Sequence, residues 1–305
     1  MPRTILIGTA NHSWRSYIRE HRGDRDLAVL DPMDAHHGTP GRLALYHGDK
    51  CVDWVFLGAI DAQKNPLALI AGSIRLLAQS SDDTLILFPN FQGVPAARQL
   101  LLQLAQLIQP GEIFVPSGSK IAVHPWPVGA EHVEVEAEFP EMVQLAQRRA
   151  RWIAMLEQCE DHVIPLDEID YMFSRFGSGR RVPSDHFDRA GISGVLWAER
   201  AAQTLLIVAR RDFDDDELAG LLNVGHATKL MFLDPLSFSG LLCSFARQDG
   251  EEMGMGMIEE ASFTEGVIKV RCQAVAPAPV RILKIGHLRI DSLGRELHEI
   301  RPWTV

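Results

Sequence analysis

Cysteine is scarce. The four in 305 residues, Cys51, Cys159, Cys243 and Cys272, lie far apart and share no CxxC spacing, which argues against a disulfide framework and against a zinc site of the usual kind. Apolar runs are short. None approaches the roughly eighteen residues of a membrane span, and the N-terminus lacks the basic-then-apolar order of a signal peptide, so a cytoplasmic protein with no membrane partner is expected. Basic charge is also in short supply, since 30 Lys and Arg against 40 Asp and Glu leave a net charge of −10. That balance disfavours non-specific binding to nucleic acid over the whole surface and leaves such contacts to a local groove. No fixed-period repeat, low-complexity segment or Ser-His-Asp or Cys-His nucleophile arrangement is present. His36, His37 and His47 have no HxH or HxxxH spacing, and adjacent histidines on a strand point to opposite faces, so they do not predict a transition-metal site.

Hydrophobic residues make up 46% and charged residues 23%, as in ordinary globular chains. At this length one core is usually exceeded, so one large and one smaller domain are expected. The opening stretch sets the pattern. Thr4 to Ile7 is a β-branched and aliphatic run ending at Gly8, Ser13 to His21 fits a short helix, and Leu27 to Leu30 is a second apolar run that delivers Asp31. Strand, turn, helix and strand make a βαβ unit, whose ligands sit in the loops at the carboxyl ends of the strands. Two further strands, Arg42 to Tyr46 and Asp53 to Leu57, flank a turn at Gly48. Pro66 to Gln79 has apolar residues at helical spacing. Thr84 to Phe88 reads as a strand buried on both faces, Pro95 to Ile108 as a helix, and Glu112 to Pro116 as a strand. A short extended piece at 132–136 follows. The alternation predicts a doubly wound α/β domain with a parallel sheet.

Pro140 to Gln158 breaks the alternation with a long helix carrying Arg148, Arg149 and Arg151. Asp167 to Phe176 reads as a shorter helix and Gly177 to Arg181 as a flexible basic turn, and the domain boundary is expected near residue 180. Beyond it, short strands separated by Gly and Asp turns predict a smaller β-rich domain over 181–305, with Gln248-Asp249-Gly250 as its best hairpin turn. Asp212 to Glu217 is an acidic run that suits a solvated turn or a helix start.

Asp31-Pro32 opens and Thr39-Pro40-Gly41 closes a breaker-rich loop, and this order of motifs resembles the P-loop RNA 5′-hydroxyl (polynucleotide) kinases of messenger-RNA cleavage, transfer-RNA splicing and ribosomal-RNA processing. Those kinases have an Asp-Pro-Gly-Gln loop leading to Pro-Pro-Gly; here Met33 and Asp34 replace the Gly and Gln. Their Thr-x-Gly-Trp stretch corresponds to Phe88-Pro89-Asn90-Phe91, which makes Phe91 the base-stacking aromatic. Their lid helix corresponds to the segment near 140–158, and the tail with Gly254-Met255-Gly256-Met257 resembles their small C-terminal domain. The resemblance implies a P-loop NTPase-like fold, ATP and Mg²⁺ as cofactors, and an RNA or oligonucleotide 5′ end as partner, with a protein partner in addition.

The phosphate loop departs from that pattern. A working loop, GxxxxGK[ST], cradles phosphates with backbone N–H groups, reaches them with Lys and holds Mg²⁺ with Ser/Thr. Here Gly8-Thr9-Ala10-Asn11-His12-Ser13-Trp14-Arg15-Ser16 puts Ser13, Trp14 and Arg15 at the Gly, Lys and hydroxyl positions. With one extra residue allowed, Arg15-Ser16 imitates Lys-Ser in a different geometry. The motif is degenerate under either alignment. On the resemblance, Gly8, Asn11, Ser13, Arg15 and Ser16 would line the nucleotide, Ser16, Asp31 and Asp34 would hold Mg²⁺, and Asp31 would act as base. Arg148 and Arg151, on one side of their helix, would close over phosphates and RNA.

Each has a plainer alternative. Gly8 suits any strand-to-helix turn, Arg15 a solvated helix, Asp31 and Asp34 loop caps, Phe91 and Trp14 packing, and the arginines a solvated helix face. Three readings follow: a kinase-like protein with weakened or lost phosphoryl transfer that binds nucleotide or RNA ends or acts as a scaffold; an active ATP-dependent 5′-hydroxyl kinase using Arg15, Ser16 and Asp31; and an unrelated α/β protein. Removal of the P-loop Lys favours the first, because charge stabilisation is most of what such an enzyme supplies.

Overall fold

The computed structural model describes residues 3–90, 94–273, 280–300 and 305. Two compact units divide the chain, Met1–Ala154 and Met155–Val305. They are nearly equal in length, and the division falls in the last turn of a long helix.

The first unit runs β1 (Thr4–Ile7), β2 (His12–Ser13), α1 (Arg15–His21), β3 (Asp26–Val29), β4 (Arg42–His47), β5 (Lys50–Phe56), α2 (Pro66–Gln79), β6 (Thr84–Phe88), α3 (Pro95–Ile108), β7 (Glu112–Pro116), β8 (Ala130–Val133), β9 (Glu136–Ala137) and α4 (Glu141–Leu156). Its seven-stranded sheet has the order β5-β4-β3-β6-β1-β7-β8. The strands from β3 to β8 are parallel, whereas β4 and β5 form an antiparallel hairpin on the β3 edge. The sheet is therefore mixed, with five parallel strands and an antiparallel hairpin on one edge, where a doubly wound parallel sheet was expected. The tight turn at Gly48, with φ of 54°, leaves no length for a crossover, so β4 and β5 must pair antiparallel.

Every residue of β1 and β6 is buried, the consequence of aliphatic runs covered on both faces. Their pairing, Ile5 with Ile86 and Ile7 with Phe88, brings the carboxyl ends of both strands to one edge. The crossover from β1 to β3 passes β6, so the loops after β1, β3 and β6 meet there. Helix starts follow local chemistry. Asn65 caps α2 by accepting from the Ala68 amide at 3.3 Å, with Pro66 in the first turn, and Pro95 opens α3.

The second unit runs β10 (Cys159–Pro165), β11 (Asp170–Met172), β12 (Arg180–Arg181), α5 (Ser184–Arg189), β13 (Val195–Ala201), β14 (Thr204–Ala209), α6 (Asp215–Gly225), β15 (Lys229–Leu233), β16 (Leu241–Ala246), β17 (Glu252–Ser262), β18 (Val267–Gln273), β19 (Ile282–Ile290) and β20 (Glu296–Glu299). The larger sheet has the order β10-β18-β17-β16-β19-β11, with β20 beside β19, and the smaller one β12-β13-β14-β15. The segment read as a helix over 167–176 contains β11 instead, and Arg180 and Arg181 of the supposed flexible turn are strand residues. Pairing of Tyr171 with Leu283 decides the first case; tertiary context overrides weak local helix preference.

Phe176, Trp197, Phe238 and Phe263 cluster in this core, with ring centroids 5.4 to 5.5 Å from Phe176 to the other three. Buried Lys284 pairs with Glu252 at 2.5 Å, and the same carboxylate accepts from Ser244 at 2.6 Å. This pairing is what makes burial of both charges tolerable. The acidic run is the start of α6, where Asp214 and Glu217 form a reciprocal capping box. No described helix is long and apolar enough to cross a membrane.

Candidate functional site

A cleft opens at the carboxyl edge of the first sheet, walled by residues 8–10 and 12–15, by Asp31 and residues 33–37, by Asn90 and Glu138, and by the α4 residues Gln144, Gln147 and Arg148. The elements converge there for a simple reason. Gly8 donates its amide to the Phe88 carbonyl at 3.2 Å, and a Cβ at this position would lie 2.8 Å from that oxygen and 2.9 Å from Asn90 Oδ1. Only glycine lets the β1 and β6 exits approach this closely.

The first loop is filled from within. Trp14 is 3% exposed, and its indole N–H donates to the Ile7 carbonyl at 2.8 Å, so an aromatic ring packs where the resemblance calls for a lysine. Thr9 Oγ1 and His12 Nδ1 share a hydrogen bond of 3.0 Å. His12 and Ser13 then form β2, which pairs with β9. This pairing delivers Glu136 onto α1. Arg15 Nη2 lies 3.0 Å from Glu136 Oε1, the Ser16 amide donates to the same oxygen at 3.2 Å, and the Ser16 hydroxyl donates to Oε2 at 3.0 Å. Burial pushes the Glu136 carboxyl up, but the bonds from Arg15 and Ser16 outweigh it and hold it below the usual range. The Arg15 guanidinium also lies 4.2 Å from the centre of the Phe139 ring, a cation–π contact that fixes it further.

The second loop is built around two carboxyl groups. Asp31 lies two residues past the end of β3, and its Oδ1 accepts from the Met33 amide at 3.0 Å. Burial pushes its carboxyl up to about 7. The Met33 hydrogen bond opposes that rise, the Asp34 and Glu138 charges add to it, and Arg148 opposes it. Asp34 behaves differently, because bonds from the His37 amide at 2.9 Å and ring at 3.2 Å overcome its burial and hold it low. His36 is pushed down chiefly by burial. In the cleft, Arg148 is 7% exposed, whereas Arg151 is exposed and donates to the Ala35 and His36 carbonyls at 2.8 and 2.7 Å.

The cleft thus brings together Gly8, Ser13, Arg15, Asp31, Asp34 and Arg148 of the expected residues. Three others depart from expectation. Asn11 is exposed and does not wall the cleft, and its carbonyl is held by the Glu138 amide at 3.0 Å. Ser16 points to Glu136. Arg151 ties down the Asp31 loop through its backbone rather than facing the cleft. Phe91 lies outside the described residues.

Arg15, Ser16 and Asp34, which were expected to meet ATP and Mg²⁺, are each engaged by other side chains of the protein. The cation and hydroxyl that would meet phosphate and ion are both spent on Glu136, and Asp34 is spent on His37. No group of three or more His, Cys, Asp or Glu among the described residues is placed to hold a metal ion. Glu136 is the residue that sequence reasoning missed. Only its place in a short extended piece was legible, since its partner lies 120 positions away.

Neither a protein-family model nor a curated protein matches the sequence. Solved structures do match in fold. A Clp1p structure, described for the extended interface between Pcf11p and Clp1p and for the basis of ATP loss in a glycine-to-arginine point mutant, superimposes with a TM-score of 0.52 at 10% identity, covering 94% of this chain and 75% of that one. A wild-type Clp1p–Pcf11p complex gives 0.53 at 10% identity, covering 94% and 74%. The likeness shows a shared α/β fold across nearly the whole chain.

Proposed function

We propose that this chain is a divergent relative of the polynucleotide 5′-hydroxyl kinases, with a P-loop-like first unit, that has lost most or all phosphoryl transfer and acts as a nucleotide- or RNA-end-binding protein or as a scaffold. One observation carries the reading: a carboxylate of the protein itself, Glu136, sits on the Arg15 and Ser16 groups that a phosphate would use. An internal anion with two hydrogen bonds and an ion pair competes with any external one, and it loses no translational entropy in doing so. The fold of Clp1p, a protein seen with a protein partner and subject to ATP loss on point mutation, supports both the kinase-like ancestry and a role in an assembly.

A second reading, an active 5′-hydroxyl kinase, is favoured by Asp31 alone. A carboxyl titrating at about 7 beside Arg148 suits a base that must accept a proton from a hydroxyl near neutral pH. Under that reading Glu136 would have to leave Arg15 and Ser16. Labelled-phosphate transfer to 5′-hydroxyl RNA and DNA oligonucleotides separates the two. The proposal expects no transfer above that of Asp31→Asn; transfer that this substitution abolishes would make the protein a kinase.

A further inference from the structure

Strand β15 ends the smaller sheet of the second unit and, among the described residues, pairs only with β14. An open groove at this end is walled by Arg211, Phe213, Leu218, Phe232 and Leu236. Phe232 is 45% exposed and Leu236 69% exposed. Edge strands are normally blunted by charge, proline or a cover, yet here Lys229 charges only the start of the strand and a phenyl ring stands open near its end.

The apolar floor is held in advance. The rings of Phe213 and Phe232 stack with centroids 5.7 Å apart at 26°, and the Arg211 guanidinium lies 4.1 Å from the centre of the Phe213 ring. Arg211 is itself fixed by the Ser193 carbonyl at 2.6 Å and by both Glu217 oxygens at 2.6 and 2.9 Å. That chelation also neutralises it. Of the groove's own lining, Asp212 and Asp234 are acidic and Arg210 is a second cation beside the neutralised Arg211, and Asp215 and Asp216 add two carboxylates at the adjoining start of α6. The rim is acidic.

We infer that β15 accepts an extended basic segment of a partner protein as an added strand. The backbone of that segment would bond along the open edge, one of its apolar side chains would rest on Phe232 and Phe213, and its Lys or Arg side chains would face the acidic rim. This is strand addition, in which main-chain bonds give affinity and side-chain contacts give specificity. Charge selects this occupant over others: RNA phosphates are repelled by the rim, and a second copy would bring the same acidic run with it.

Fluorescence anisotropy of a labelled ten-residue peptide alternating Lys with Val and Phe, titrated with the full chain, tests the inference. Saturable binding is expected, weakened at least tenfold by Phe232→Ser, by Leu236→Ser and by Asp215→Asn with Asp216→Asn. The same loss is expected when alternate peptide amides are N-methylated, which leaves charge and side chains intact but removes edge hydrogen bonds. Far-UV circular dichroism confirms that the variants are folded. Absence of binding, or binding indifferent to N-methylation and to both apolar substitutions, would overturn the inference. So would displacement of the peptide by a single-stranded RNA oligonucleotide, or a dimer in sedimentation that Phe232→Ser dissolves.

Discussion

The loops after β1 and β3 leave strands on either side of β6 and wall the same cleft, yet they differ in what fills them. The first is occupied by the protein's own groups: the Trp14 indole donates to the Ile7 carbonyl, and Glu136 sits on Arg15 and Ser16. The second still holds a carboxyl near neutrality, Asp31, with Arg148 beside it. In the first loop the polar groups are satisfied by the protein's own side chains, whereas in the second burial leaves one carboxyl raised toward neutrality.

The contrast can be broken most severely at Trp14. If the ring is structural, Trp14→Ala costs about 3–5 kcal/mol, the usual price of emptying a buried Trp site, and urea denaturation should show the midpoint falling accordingly; an unchanged midpoint would return Trp14 to a ligand-contact role. A smaller effect is expected at Asp31. Its folded pKa of about 7 lies above the unfolded 3.8, so the folded protein binds this proton more tightly, and the contribution present below pH 4 is lost as pH rises to about 7. The open mouth of the cleft screens the shift, leaving about 1–2 kcal/mol. Wild type should therefore lose stability over that range relative to Asp31→Asn, and parallel pH profiles would refute the assignment. Glu136→Gln should cost least, about 0.5–1 kcal/mol, because the pair is part-exposed. It sharpens the comparison most, since inorganic pyrophosphate should then bind measurably by calorimetry where wild type shows none; no gain would mean that Glu136 is not what closes the first loop.

Much of the first unit was legible because its signals are local. The strands at Thr4–Ile7, Thr84–Phe88 and Glu112–Pro116 and the helices at Pro66–Gln79 and Pro95–Ile108 follow from apolar runs, helical spacing and prolines. Strand β11 and helix α5 were not, since Asp170–Met172 owes its form to β19 and the Ser184–Arg189 helix is too short to show a period. In the site, Gly8, Asp31 and Arg148 were readable from position at strand ends and on a helix. The roles of Glu136 and Arg151 were not, because each is defined by a partner more than a hundred residues away.

The β2–β9 pairing also bears on how the chain assembles. Ser16 and Glu136 are 120 residues apart, so closing this clasp costs more loop entropy than the local turns. As the chain leaves the ribosome, its opening segment must wait for almost all of the first unit to emerge before Arg15 and Ser16 find their carboxylate. Until then Arg15 and Ser16 lack the carboxylate that holds them in the folded unit.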